Sequence, residues 1–116
     1  MVEDEEVLRL SVSKMLRKKG FSVIEAGDGY SALDLFRAHK NSIDVILLDM
    51  TIPGASSREV ILEAGKIRPD IRIVLTSAYS HSMVVPSLDA PQIKGFVRKP
   101  FQIDELVQLL RATLST

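Results

Sequence analysis

The chain has 116 residues, in which 15 Lys and Arg balance 15 Asp and Glu, with no cysteine and no tryptophan. That length suits one domain, and 46% hydrophobic residues is enough for a core and far from the composition of a disordered chain. The missing cysteines exclude a disulfide framework, a thiolate zinc site and a cysteine nucleophile. The balanced charge lacks the basic footprint of a protein that binds nucleic acid, and no apolar run reaches the length of a membrane segment or opens the chain as a signal peptide. The expectation is a cytoplasmic single domain.

Periodicity divides the chain into alternating elements. Residues from about Glu5 to Lys18 read as a helix with Leu8, Val12, Met15 and Leu16 on one face, stopped by Gly20. Phe21–Glu25 is rich in strand formers, and Gly27, Asp28 and Gly29 punctuate it. Ala32, Leu33 and Phe36 mark a second helix, from about Tyr30 to His39. Ile43–Leu48 is the most apolar window, as suits a strand buried on both faces of a parallel sheet. Val60, Ile61, Ala64 and Ile67 form a third helical face ended by Pro69, and Ile71–Thr76 is another strand. The stretch Ser80–Lys94 should hold a helix, but Pro86 and Pro91 oppose a regular one. Phe96–Val97 is a short last strand, and Ile103, Val107, Leu110 and Leu114 line a final helix. Such alternation argues for an α/β domain with a parallel sheet and right-handed crossovers.

In an open α/β sheet, ligands bind beyond the carboxyl ends of the strands. Glu3 and Asp4 precede the first helix, Asp49 ends the apolar strand, Ser77 ends the next, and Lys99 follows the last. Clustered carboxylates repel one another, and a divalent cation resolves that cost. Oxygen-only ligands favour Mg²⁺ over zinc, and Mg²⁺ commonly accompanies phosphate. In that setting Lys99 supplies a positive charge to a phosphoryl oxygen, Ser77 a hydroxyl, and Asp49 the nucleophilic carboxylate.

The pair Glu3-Asp4, the segment LLDMTIPG around Asp49, Ser77-Ala78 and FVRKPF around Lys99 together resemble the response-regulator receiver domain of two-component signalling. Asp49, Ser77 and Lys99 stand at intervals of 28 and 22 residues, which fits that family, and the resemblance spans essentially the whole chain. It implies a flavodoxin-like, CheY-like doubly wound fold with a five-stranded parallel sheet in the order 2-1-3-4-5. It also implies that Asp49 accepts a phosphoryl group from a phosphohistidine on a sensor histidine kinase or a histidine phosphotransfer domain. Glu3, Asp4, Asp49 and the backbone carbonyl of Thr51 would surround Mg²⁺. Ser77 and Lys99 would bind the phosphoryl oxygens, and Phe96 holds the aromatic switch position. The segments LLDMTIPG and Ser77–Tyr79 resemble receivers attached to hybrid sensor histidine kinases.

The sequence departs from the family in four places. Glu3 replaces a more usual aspartate, and Ser77 lacks the methyl of the commoner threonine. Thr51 and Tyr79 border the site, where they would modulate access of water to an aspartyl phosphate. The prolines make the fourth helix irregular. Only Met1 and Val2 precede Glu3, where the family has a run of about five apolar residues in a central strand. The expectation is therefore a receiver domain over residues 1–116, truncated at its N-terminus, with no output domain in the chain. The rival readings are a phosphorylation-independent interaction scaffold and a phosphohydrolase with an aspartate nucleophile. The latter needs a second aspartate where Thr51 stands. A flavin site would need a phosphate-cradling loop after the first strand, and none is present.

Overall fold

The computed structural model describes residues 1–50, 52, 54–78 and 90–115 of the protein. Thr51, Tyr79 and the proline-bearing stretch expected to form the irregular fourth helix lie outside them, apart from its last residues. Helix α1 spans Glu6–Lys18 and α2 spans Gly29–His39; strand β1 is Val45–Asp49; α3 is Ser57–Ile67. Strand β2 (Arg72–Ser77), strand β3 (Ile93–Arg98) and helix α4 (Ile103–Leu114) complete the described elements.

Local chemistry sets the boundaries. Gly20 leaves α1 with φ +99°, a conformation that costs glycine nothing, and Phe21 N–H donates back to the Leu16 carbonyl at 3.1 Å. Asp28 caps α2 by accepting from Ser31 N–H at 2.8 Å, and Ser56 caps α3 by accepting from Glu59 N–H at 3.2 Å. Gly29 opens α2 because a Cβ there would fall 1.9 Å from the Ala55 carbonyl oxygen.

The three strands form a parallel sheet in the order β1-β2-β3, with Leu47 opposite Val74 and Leu75 opposite Phe96. Alternation along the strands sends Ile46, Leu48, Ile73 and Leu75 to the face covered by α2 and α3. Leu47, Val74 and Val97 face the opposite side, against Val12 and Leu16 of α1 and Leu106 and Leu110 of α4. Met15, expected on the buried face of α1, is 46% exposed. That helix packs through the narrower stripe Leu8, Val12 and Leu16, spaced four residues apart, and Met15 falls on its flank.

Two expected strands differ from the sequence reading. The last is longer, running over Ile93–Arg98 rather than Phe96–Val97. The segment Phe21–Glu25 is not a regular strand among the described residues, and only the adjoining Ala26 forms a bridge. The cause lies in its neighbour. Val2 bridges Ala26 on one side and Leu48 on the other, both in parallel, so residues 1–3 hold the central place in the expected order. Val2 N–H donates to Leu47, Asp49 N–H to Val2, Glu3 N–H to Ala26, and Ala26 N–H to Met1. The Met1 amine continues that ladder to the Ile24 carbonyl at 2.7 Å. Beyond it lies a cleft of about 580 Å³ lined by Phe21, Val23, Ile24, Val45 and Leu47 among others. A strand needs ladder partners along its length, and Phe21–Val23 face that cleft instead.

Candidate functional site

The carboxyl edge of the sheet gathers the site. Asp49 is the last residue of β1, delivered to the edge by an apolar run that anchors it from both faces, and it is 2% exposed. Glu3 is also 2% exposed, and Asp4 is open to solvent. One carboxylate oxygen from each of Glu3, Asp4 and Asp49 lies within 4.8 Å of the others. Lys99, one residue past β3, donates through Nζ to Asp49 Oδ2 at 2.9 Å and also to Glu3 Oε1. Its backbone N–H donates to the Ser77 carbonyl at 2.7 Å, which fixes the lysine at the end of β2.

Burial governs the electrostatics. It pushes the Glu3 carboxyl up to about 7, with help from a hydrogen bond to Asp49 and against the pull of Lys99. Burial also works against the Lys99 ammonium, but its hydrogen bonds to Glu3 and Asp49 prevail and hold it above the ordinary lysine value. The lysine therefore keeps its charge as the counter-ion of a crowded acidic pair.

Of the residues singled out by sequence, the structure brings Glu3, Asp4, Asp49 and Lys99 into one constellation. Ser77 is fully buried at the end of β2. Phe96 is partly buried opposite Leu75 and packs with the α2–α3 side of the core. Strand alternation puts Ser77 on the same face as Leu75, so the hydroxyl and the ring share that side of the sheet. Thr51 and Tyr79 are outside the described residues.

Two contributors escaped the sequence reading. The buried Ser57 donates through Oγ to the Asp49 carbonyl at 2.8 Å, tying α3 to the end of β1. The signal was the pair Ser56-Ser57: the first caps the helix, which turns the second inward. Arg9 lies in the first helix away from its apolar stripe, yet its guanidinium donates to the Glu3 backbone carbonyl at 3.0 Å.

Three carboxylates with converging oxygens, two of them buried and one open to water, suit a hard divalent cation that keeps part of its hydration shell. No nitrogen or sulfur donor joins them among the described residues. The donor set therefore fits Mg²⁺.

Residues 1–111 match the family model described as "Response regulator receiver domain". The chain is 32% identical to the chemotaxis protein CheY of Bacillus subtilis, with 99% of this chain and 95% of that protein covered. It is 28% identical to the sensor kinase CckA of Brucella abortus, over 98% of this chain but only 12% of that kinase. A receiver-domain protein from Clostridium thermocellum has a similar fold, with TM-score 0.90 at 22% identity, covering 98% of this chain and 90% of that one. No helix among the described residues is long and apolar enough to cross a membrane.

Proposed function

The chain belongs to the response regulator receiver domain family of two-component signalling, and from that premise we propose that Asp49 is its phosphoacceptor. The observation that carries this reading is the Lys99 ammonium, held 2.9 Å from Asp49 Oδ2 beside two further carboxylates at the carboxyl edge of the sheet.

In the proposed reaction an oxygen of Asp49 attacks the phosphorus of a partner phosphohistidine. A P–O bond forms, the P–N bond breaks, and the imidazole leaves. Glu3, Asp4 and Asp49 would hold Mg²⁺, with the backbone carbonyl of Thr51 as a further ligand by family resemblance. When bound, that ion supplies positive charge to the phosphoryl oxygens. Lys99 is already at the acceptor oxygen, so a short swing from Glu3 places its ammonium on an arriving phosphoryl group. Ser77 donates its hydroxyl to the same group, and Phe96 responds by filling the space on the shared face, a local charge event that biases a packed element. By family resemblance Tyr79, two residues after Ser77 in the sequence, would modulate the lifetime of the acyl phosphate.

The domain catalyses its own phosphorylation and acts on no separate substrate. Its partner is a sensor histidine kinase or a histidine phosphotransfer domain, in the cytoplasm and without nucleic-acid contact of its own. The match to a short part of a sensor kinase supports a place within a hybrid kinase.

The test is incubation with Mg²⁺ and either acetyl phosphate or a beryllofluoride mimic, read by intact mass and amide spectra. With acetyl phosphate the native chain is expected to gain one phosphoryl mass, with either reagent to shift the resonances of Ser77 and Phe96, and Asp49→Ala to do neither. A folded native chain that shows no adduct and no shift overturns the proposal in favour of a phosphorylation-independent scaffold.

A further inference from the structure

Two of the three converging carboxylates, Glu3 and Asp4, sit on a turn between a single bridging residue and the first helix. Its backbone is tied to the sheet through Glu3 N–H, which donates to Ala26, and a further anchor on the helix side would hold both side chains in a ligating arrangement. The hydrogen bonds show where that anchor is. Arg9, in the second turn of α1, donates through one terminal nitrogen to the Glu3 carbonyl at 3.0 Å, and its Nε lies 3.6 Å from Glu25 Oε1. Glu25 is in turn held by Arg17, whose terminal nitrogen lies 3.0 Å from Oε2 and also donates to the Val23 carbonyl at 2.9 Å. Arg9 and Glu25 are only 19% and 20% exposed, so this chain of contacts is half-sheltered from solvent. Gly27 makes room for it: a Cβ there would lie 3.0 Å from the Arg9 terminal nitrogen.

We infer that Arg9, braced by Glu25, is a positioning residue for cation binding, clamping the Glu3-Asp4 turn so that its carboxylates converge with Asp49. The inference rests on the proposed Mg²⁺ site and goes beyond it, because Arg9 touches neither the cation nor the phosphoryl group. Its sign is unusual and gives the test its force. By charge alone, a guanidinium beside the acidic cluster repels a cation, and its removal would tighten Mg²⁺ binding. As a clamp, it holds the ligands together, and its removal loosens binding. The two accounts predict opposite directions.

The experiment measures Mg²⁺ affinity by titration of amide chemical shifts for the native chain, Arg9→Met, Arg9→Lys and Glu25→Gln, with a thermal melt of each. Arg9→Met is expected to weaken Mg²⁺ roughly tenfold, a loss typical of partners that orient metal ligands. Arg9→Lys should recover part of the loss, since an ammonium reaches one of the two acceptors, and Glu25→Gln should weaken binding to a smaller degree. Arg9→Met affinity equal to or tighter than native overturns the inference while leaving the metal site intact. A native chain that binds no Mg²⁺ overturns the metal reading itself, and the clamp with it. Should Arg9→Met fail to fold, Arg9→Gln removes the same guanidinium and decides by the same criterion.

Discussion

Lys99 Nζ lies 2.9 Å from Asp49 Oδ2 and simultaneously contacts Glu3, so one ammonium serves two carboxylates that are each 2% exposed. Two buried carboxylates thus depend on a single counter-ion. Removing the cation and removing an anion should therefore have opposite effects. Lys99→Met leaves two buried carboxylates facing each other and is expected to cost about 3 kcal/mol. Asp49→Asn relieves their repulsion and is expected to raise the melting temperature by roughly 4 °C, about 1 kcal/mol for a domain of this size. Thermal unfolding of both variants in metal-free buffer checks the contrast.

The pH dependence of the metal-free protein should show two opposing limbs. Glu3 titrates near 7 in the fold against an ordinary 4.5, so its contribution is complete below 4.5 and is lost as pH rises to 7. Burial lowers the Met1 amine from 8.0 to about 6, so its contribution is complete above 8 and is lost as pH falls through 6. Glu3→Gln should flatten the first limb and N-terminal acetylation the second. Urea midpoints between pH 4.5 and 8.5 measure both.

Ser57 holds the backbone of Asp49 rather than its side chain. Ser57→Ala deletes the bond to the Asp49 carbonyl and is expected to destabilise by about 1 kcal/mol. Because the Asp49 carboxylate is untouched, the variant should still form an acyl phosphate. Denaturant unfolding together with intact mass after acetyl phosphate separates the two effects.

The cleft beside Met1 has the lining and direction of a strand slot. Ladder geometry turns the backbone groups of Ile24 and Leu47 toward it, in register with the bonds that Val2 already makes. Joining about five extended apolar residues to the Met1 nitrogen is expected to order Phe21–Val23 and raise the melting temperature by several degrees. An equally long Gly-Ser extension should not. Amide exchange at Ile24 and Leu47 reports whether the segment docks in the ladder.

Much of this molecule was legible in its residues, and the exceptions have physical causes. The runs ending at Asp49 and Ser77, and Lys99 just past the last strand, put these three residues at the carboxyl edge of the sheet, where the structure has them, because a buried parallel strand announces itself by apolar continuity. Helix α2 was bounded to within a residue by Asp28 and Gly29, where local capping chemistry suffices. What pattern could not show was long-range pairing. Phe21–Glu25 carries strand formers yet lacks a regular partner, and β3 extends back to Ile93 because β2 offers it a ladder. Ser57 and Arg9 escape pattern for a more local reason: each bonds a backbone carbonyl eight or six residues back, a contact that no hydrophobic period encodes.

The ion contact between Glu3 and Lys99 joins residues 96 positions apart. Nearly the whole chain must be in place before this pair can meet, and closing so long a loop precedes any energetic return from the contact. The Glu3–Lys99 contact is thus expected to form late in folding rather than to seed it. A molecule whose last strand has not joined the sheet would lack the ammonium at Asp49 Oδ2, so on the proposed reading competence to receive a phosphoryl group reports that β3 has docked.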